Sequence, residues 1–461
     1  MFNRLLLFVF LCNLHLLNAQ WGEHLIIDND IYSTQKLILA DLDNDGKKDI
    51  IYFRSHDRVY WLKKIDAAGN FGPPNLIVQN QFNLRGLAVG DLTGNGFKDV
   101  VISVPDVTNP GNSLRWMEHL DGNGTFSSPH LIPENPNTLA QSIILADMDT
   151  DGMLDIVVSA TPSSDGGINW YRNLGNGIFS AGNVVVTNFS NGTGIAVGDI
   201  DGDNDLDIVS GTSNTGVMSW FENLDGQGTF GEPRPIGSSG NPGFNVQRLH
   251  LVDIDGDGDL DVVGSSGLTQ AFAWWENLDG LGNFSLENFI ELENLITGVY
   301  PADIDNDGDI DLFTLSPGFM RWYENLDGLG SYGEAILITD SLPSAVTIEA
   351  TDINSDGWVD AVTASQINRT ILWYENSLLS INDLSKQPFF IYPNPVDDTL
   401  NFNVKEPPTL VKIFTLLGQP IQHEWRQGSN EIDISGLLPG MYIMEFVFSN
   451  NTIERYKFIK K

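Results

Sequence analysis

Cysteine is almost missing from this chain: of 461 residues one is Cys, and it is Cys12. Disulfides, the usual staples of exported domains, are therefore excluded. Basic residues are scarce, with 24 Lys and Arg against 61 Asp and Glu, a formal net charge of −37. That balance excludes a basic nucleic-acid footprint. No apolar run reaches the ~20 residues that a transmembrane helix needs. No stretch keeps an apolar period of 3.6 over about 10–12 residues, so helix is expected to be largely absent. Against these shortages stand 41% hydrophobic and 10% aromatic residues, enough to build cores and too apolar for a disordered acidic tail. The 46 glycines favour many turns.

The first residues read as an export signal. Arg4 precedes the short run LLLFVFLCNLHLL, and Asn18-Ala19-Gln20 offers a small residue for cleavage after Ala19. Cys12 would suit a lipoprotein, but the bulky Leu11 before it does not fit the usual lipobox. Cleavage would leave no thiol, which makes bound metal a candidate staple.

One acidic nonapeptide recurs seven times, starting at Asp41, Asp91, Asp147, Asp199, Asp253, Asp303 and Asp352. DIDGDGDLD at Asp253 is typical, and the spacings are 50, 56, 52, 54, 50 and 49 residues. A self-similar unit of about 50 residues signals a propeller, solenoid or array. Each copy is flanked by β-rich runs, such as SIILA before Asp147 and DIVVS after it. A Trp follows 19 to 25 residues after the first Asp: Trp61, Trp116, Trp170, Trp220, Trp274, Trp322 and Trp373. It opens a third strand, typically W-Y/F-E-N, and a turn such as LDGLG leads to a fourth. Four antiparallel strands per unit describe a propeller blade. The seventh unit stops at WYENS without its fourth strand, and WGEHLIID, residues 21–28, resembles the other fourth strands. The first strand is therefore expected to complete the last blade.

On these seven in-register copies, residues 21–377 resemble the FG-GAP/VCBS family, related to the propeller of integrin α subunits. A literal Gly-Ala-Pro element is not evident, which puts the likeness with the bacterial VCBS-like branch. The expected fold is all-β: a seven-bladed propeller over residues 20–377, after a signal at 1–19.

The loop pattern D-x-D-x-D-G-x-x-D suits calcium, which takes six to eight hard oxygens at about 2.3–2.6 Å. Alternate residues of a tight loop turn carboxylates inward, position 6 must turn sharply and favours Gly, and the carbonyl of position 7 adds an oxygen. Asp at position 9 closes the shell. Asn204 at position 6 of the fourth copy fits, because Asn tolerates left-handed geometry. Integrin-type loops imply the same ligand set. The candidate ligands of the first copy are Asp41, Asp43, Asp45 and Asp49, and those of the third Asp147, Asp149, Asp151 and Asp155. The fourth offers Asp199, Asp201, Asp203 and Asp207, the fifth Asp253, Asp255, Asp257 and Asp261. The sixth offers Asp303, Asp305, Asp307 and Asp311, and the seventh Asp352, Asn354, Asp356 and Asp360. With Thr93 and Asn95 at positions 3 and 5, the second keeps Asp91 and Asp99 and is expected to bind weakest or hold no ion. About five to seven structural Ca²⁺ ions are expected.

Asp-Gly clusters also mark ordinary turns, and acidity also serves solubility. Seven in-register copies weigh against the first reading. The 28 loop aspartates weigh against the second, since without them the formal charge would be −9.

A catalytic set is not legible. The histidines after the signal (24, 56, 119, 130, 250 and 423) are scattered, with no HExxH spacing, G-x-S-x-G elbow or Walker loop. The repeated Trp suits packing between blades more than a stacking platform. Trp275, Trp358, Phe319 and Tyr300, which do not recur, are better ligand candidates, though individually weak.

From Leu384 the repeat ends and the charge balances, with eight basic and eight acidic residues. Short strands, TLNFNV, LVKIFTLLG, NEIDIS, GMYIMEFVF and RYKFIKK, suggest a small antiparallel β-sandwich over 389–461, joined by a linker at 378–388. Tyr392-Pro393-Asn394-Pro395, Gly418, Leu437, Gly440, Tyr442 and Lys460-Lys461 resemble the type A C-terminal sorting domain of the type IX secretion system of Bacteroidetes. The resemblance implies a partner, the type IX secretion machinery, passage across the outer membrane, and removal of the tail, with cleavage expected in the linker. The expected function is a secreted or cell-surface binding or adhesion module for a glycan or protein. The alternative is a polysaccharide lyase or hydrolase on the same ring. A Lys/Arg/His/Tyr cluster in the central channel would favour the enzyme, one shallow aromatic pocket per blade a lectin, and a bland channel a protein scaffold.

Overall fold

In a computed structural model the described residues are 20–27, 36–377 and 389–461, apart from short segments at 55–56, 105–112, 134–137, 163–166, 188, 190–191, 213–216, 238–245, 267–270, 292–295, 393–395, 397, 405–407, 416–419, 422–424, 427 and 449–452. The expected signal (1–19) and linker (378–388) lie outside the described residues. Two compact units are found, one of them Trp21–Asn376, the other holding Ser377–Lys461.

Trp21–Asn376 is built of seven four-stranded antiparallel sheets, the blades. Their first strands, Leu37–Ala40, Leu87–Gly90, Thr138–Ala146, Gly192–Gly198, Val246–Val252, Gly298–Ala302 and Ala345–Thr351, all line one central channel. Each second strand begins at the ninth residue of an acidic loop; Asp207–Thr212, for example, is buried throughout. That is why these strands read as unbroken short apolar runs instead of alternating ones. The third strands carry the repeated Trp.

The seventh blade has the strand order Gln20–Ile27, Thr370–Ser377, Asp360–Ser365, Ala345–Thr351. The chain's first described strand thus supplies the missing fourth strand, beside the strand of Trp373, as the ends of the sequence suggest. His24 stacks on Trp373 at 4.4 Å and bonds Glu375 at 2.7 Å, and the Tyr374 hydroxyl donates to Glu23 at 2.9 Å.

Seven hydrophobic clusters hold the ring, each shared by two consecutive blades. The one between the last and first blades joins Ile353, Val362, Ile371 and Trp373 to Leu37, Ile50, Tyr52 and Leu62. Burial is therefore continuous around a closed circle, and no blade buries both its faces alone.

The second unit has two antiparallel sheets. One orders Phe389–Tyr392, Thr399–Val404 and Glu431–Asp433; the other Pro420–Ile421, Leu410–Thr415, Gly440–Val447 and Ile453–Lys460. Leu400, Phe402 and Ile432 of the first share a core with Val411, Ile413, Met444, Phe446 and Phe458 of the second, a small sandwich. No helix is found among the described residues, and none is long and apolar enough to cross a membrane.

Candidate metal centres

The seven acidic loops fold alike. The first Asp accepts the backbone N–H of position 6: Gly46 on Asp41 at 2.9 Å, Gly152 on Asp147 at 2.8 Å, Gly357 on Asp352 at 2.9 Å. The fifth residue accepts the N–H of position 7, as Asp257 does from Asp259 at 2.9 Å. Position 6 is left-handed in every copy, with Asn204 at φ 71° where the others have Gly. Position 4 is left-handed too, as at Asn306 with φ 59°, a second bend that the sequence pattern did not announce.

Position 3 is where the loops are poised for a cation. Oδ1 of Asp43, Asp201 and Asp305, and Oδ1 of Asp303 at position 1, are buried and accept no hydrogen bond. A buried carboxylate oxygen without a donor is costly. Burial, followed by the neighbouring Asp307 and Glu324, pushes Asp305 up to about 6. Asp201 and Asp255 are raised for the same reason, burial first and then Asp203 or Asp257. Three carboxylate oxygens lie within 4.8 Å of one another in five loops. They belong to Asp41, Asp43 and Asp45; Asp147, Asp149 and Asp155; Asp199, Asp201 and Asp203; Asp253, Asp255 and Asp261; and Asp303, Asp305 and Asp311. The loops with Asp91 and Asp99, and with Asp352, Asn354, Asp356 and Asp360, form no such group among the described residues. The donor set is all hard oxygen, so these loops fit Ca²⁺ chemically.

The ninth-position aspartates have further work. Asp49, Asp99, Asp155, Asp207, Asp261, Asp311 and Asp360 are all buried. Each accepts two backbone N–H groups, one from loop position 2 and one from the third residue after the repeated Trp. For Asp261 the donors are Ile254 at 2.9 Å and Asn277 at 2.8 Å. Burial pushes these carboxyls up, to about 6 at Asp49 and about 8 at Asp311.

Two recurring residues were not singled out from the sequence, although both stand at a fixed distance from Trp. One is the Asn of W-x-x-N. Asn173, Asn223, Asn277, Asn325 and Asn376 reach back to the position-2 carbonyl of the preceding blade's loop, at 2.8–3.0 Å. The other is the residue two after Trp. It is Glu222, Glu276 and Glu324 in the fourth to sixth copies, each adding negative charge to the loop beside it. In the seventh copy Glu375 accepts from Asn354 at 2.9 Å. The first and third copies have a cation there: Lys63 pairs with Asp43 and Asp45, and Arg172 with Asp149 and Asp151.

The repeated tryptophans are at most 5% exposed. Trp220 lies against Gly282 of the next blade, where a Cβ would stand 2.2 Å from the ring, and Trp61 meets Gly124 in the same way. They are packing residues. Of the non-recurring aromatics, Trp275 is buried, Trp358 half-buried, Phe319 38% exposed with Arg321 over its ring, and Tyr300 packed edge-on against His250 at 5.4 Å. The channel encloses about 380 Å³, and the charged and imidazole side chains on its wall are Lys36, Arg248, His250 and Glu349.

Comparison with known proteins agrees with this architecture. The FG-GAP-like repeat matches residues 41–102, 147–210, 199–264, 253–314 and 303–363, each match running from one acidic loop to the next. A secretion system C-terminal sorting domain matches residues 390–461. No curated protein matches the chain. Among solved structures, BBS1N in complex with ARL6DN is similar at TM-score 0.53 and 11% identity, over 78% of this chain and 98% of that one. A lectin of Agrocybe aegerita, described as recognising non-reducing terminal N-acetylglucosamine, is similar at TM-score 0.49 and 19% identity, over 75% of this chain and 86% of that one. At such identities the likeness concerns fold alone. The sorting domain marks the chain for the type IX secretion machinery, and so for export to the cell surface or beyond. With its repeats matched over more than half its length, the chain belongs to the FG-GAP-like repeat family, as a seven-bladed propeller exported under a C-terminal sorting domain.

Proposed function

We propose that the exported ring is a calcium-stiffened binding module for a glycan or protein outside the cell. The observation that carries this reading is the set of buried, donor-less carboxylate oxygens in the loops, at Asp43, Asp201, Asp303 and Asp305. Calcium would supply the missing positive charge and hold each strand-joining loop in one shape; binding surfaces benefit from such preorganisation. The ligands would be the aspartates of positions 1, 3, 5 and 9 with Asn354 in the seventh copy, as the spacing suggests. The glutamates after Trp divide the loops. The fourth to sixth copies carry Glu222, Glu276 and Glu324 and should bind tightly. In the first and third an ion must displace Lys63 or Arg172 and should bind more weakly.

The test is elemental analysis of the chain from residue 20 onward, with melting in Ca²⁺ and in excess EDTA. Bound calcium and a melting point lowered by chelator are expected. Lys63→Met and Arg172→Met should each add a tight site. No bound metal and an unchanged melting point in EDTA would overturn the reading. A glycan array on the loaded ring then addresses the ligand.

The enzyme reading keeps one observation in its favour: Lys36, Arg248 and His250 meet in the channel near Tyr300. Burial, followed by Arg248, pulls Lys36 down to about 7, within the range of a general base at neutral pH. Release of unsaturated or reducing ends from acidic polysaccharides by the loaded ring would support it.

A further inference from the structure

The acidic loops share their face of the ring with a second recurring feature. The fourth residue after the repeated Trp is a large aliphatic in six blades: Ile65, Leu120, Leu174, Leu224, Leu278 and Leu326, each 50–62% exposed. It opens the turn between the third and fourth strands, and that turn lies among the loops. Gly226, Gly280 and Gly328 pack against the carboxyls of Asp205, Asp259 and Asp309 in the same blade's loop. The carbonyls of Gly280 and Gly328 approach Gly202 and Gly256 in the loop of the preceding blade. Leu224 and Leu326 rest on Gly231 and Gly333, just before the fourth strand, which fixes each leucine while leaving more than half of it in water. In the fifth and sixth blades the turn adds a second exposed leucine, Leu281 or Leu329.

We propose that the loop face of the fourth to sixth blades is a docking surface for a cationic amphipathic polypeptide segment, in which Lys or Arg alternates with large aliphatic residues. Grouped exposed apolar side chains mark interaction surfaces, and here the charge around them selects the partner. Residues 192–342, the three blades, hold 27 Asp and Glu against Arg234, Arg248 and Arg321, a formal charge of −24 that three Ca²⁺ would reduce only to −18. None of the three arginines balances the loop face: Arg234 pairs with Glu222, Arg248 is on the channel wall and Arg321 lies over Phe319. Each turn leucine is followed at once by an exposed carboxylate, Asp225, Asp279 or Asp327. Leucine and carboxylate therefore alternate along this arc, the complement of a helix or strand on which cations flank an apolar stripe. The field of the arc would also draw a cationic segment in. The exposed groups are aliphatic and not aromatic, which favours a polypeptide over a sugar.

This inference rests on the binding-module reading and names the face and the class of partner. The test is fluorescence anisotropy of labelled synthetic peptides with the calcium-loaded chain from residue 20 onward. The probes are an amphipathic Leu/Lys peptide, a Lys/Ser peptide of equal charge, and a Leu/Glu peptide. Saturable binding of Leu/Lys is expected, at least about tenfold weaker binding of Lys/Ser, and none of Leu/Glu. Binding should weaken as salt is raised. The quadruple variant Leu278→Gln, Leu281→Gln, Leu326→Gln, Leu329→Gln should lose at least about tenfold in affinity at an unchanged melting temperature. Leu131→Gln, at an equally exposed leucine on an outer strand, should bind as the parent does. Lys/Ser binding as tightly as Leu/Lys, or affinity unchanged in the quadruple variant, overturns the proposal. A dimer that the quadruple variant abolishes, or phosphatidylcholine vesicles bound in place of the peptide, also overturns it, since the occupant is then a second copy or a lipid surface. If no peptide binds while calcium content and the EDTA-induced loss of melting temperature persist, the docking surface falls and the calcium-stiffened ring stands.

Discussion

Asn277 shows how one residue ties two blades together. Its backbone N–H goes to Asp261 at 2.8 Å, its Nδ2 to the carbonyl of Ile200 in the preceding blade at 2.8 Å, and its Oδ1 accepts the N–H of Gly282 at 3.1 Å. Gly282 is in turn pressed against Trp220 with φ +76°. Asp261, Asn277, Gly282 and Trp220 therefore form one continuous arrangement, and each is legible as a recurring letter. Their mutual contacts are not, because Ile200 and Asn277 lie 77 residues apart. Asn277→Ala should leave a buried carbonyl and a buried N–H unpaired and cost about 2–4 kcal/mol, read by denaturant unfolding. The calcium content should not change, since Asn277 lies outside the proposed shell. A cost below about 0.5 kcal/mol would mean that the staple contributes nothing.

At the scale of the acidic loop, the opposing demands of metal and burial give a pH signature. Without metal the folded ring keeps protons on its ninth-position carboxyls, Asp49 up to about 6 and Asp311 up to about 8. An unfolded Asp releases its proton near 3.9. Between those limits the folded state binds more protons, so stability falls as pH rises and recovers as it drops. Glu349, raised to about 7, adds to the trend; His250, pulled down to about 4 by burial and then Arg248, opposes it below about 6.5, and Lys36, pulled down to about 7 by burial and then Arg248, opposes it above about 7, one group against the seven ninth-position carboxyls. Calcium needs the carboxylates ionised, so in its presence protons compete with the ion and the slope reverses. The melting point in EDTA should be higher at about pH 6 than at about pH 8, and in millimolar Ca²⁺ lower at about pH 5 than at about pH 7. Parallel pH profiles with and without the ion would refute the coupling. The unequal copies were partly legible: Thr93 and Asn95 mark the second loop as poor. Lys63 and Arg172 were not, because their reach into the loop depends on how the third strand ends beside it.

At the scale of the whole molecule, stability depends on the circle being shut. Gln20–Ile27 covers the edge of Thr370–Ser377, and Trp21 lies edge-on to Phe313 of the sixth blade at 5.7 Å. Removing residues 20–27 would expose a sheet edge and strip the outer face of the last blade. The truncated chain should melt well below the parent and aggregate, as scattering during a thermal ramp would show. Equal stability would mean that the ring closes through its hydrophobic clusters alone.

The sequence by itself determined the number of blades, the strands in each, the acidic loops, the closing strand and the sorting tail. These are local patterns repeated in register, and repetition makes a weak local signal readable. Only the tertiary structure decided which loop carboxylates are buried without donors, which loops hold Lys63 or Arg172, and that Lys36, Arg248 and Glu349 face one channel. Those three come from the first, fifth and seventh blades, and no spacing along the chain records a distance across a ring. Desolvation likewise depends on what surrounds a group in three dimensions, so the same Asp letter is partly exposed at the first loop position and fully buried at the ninth, though both are candidate ion ligands.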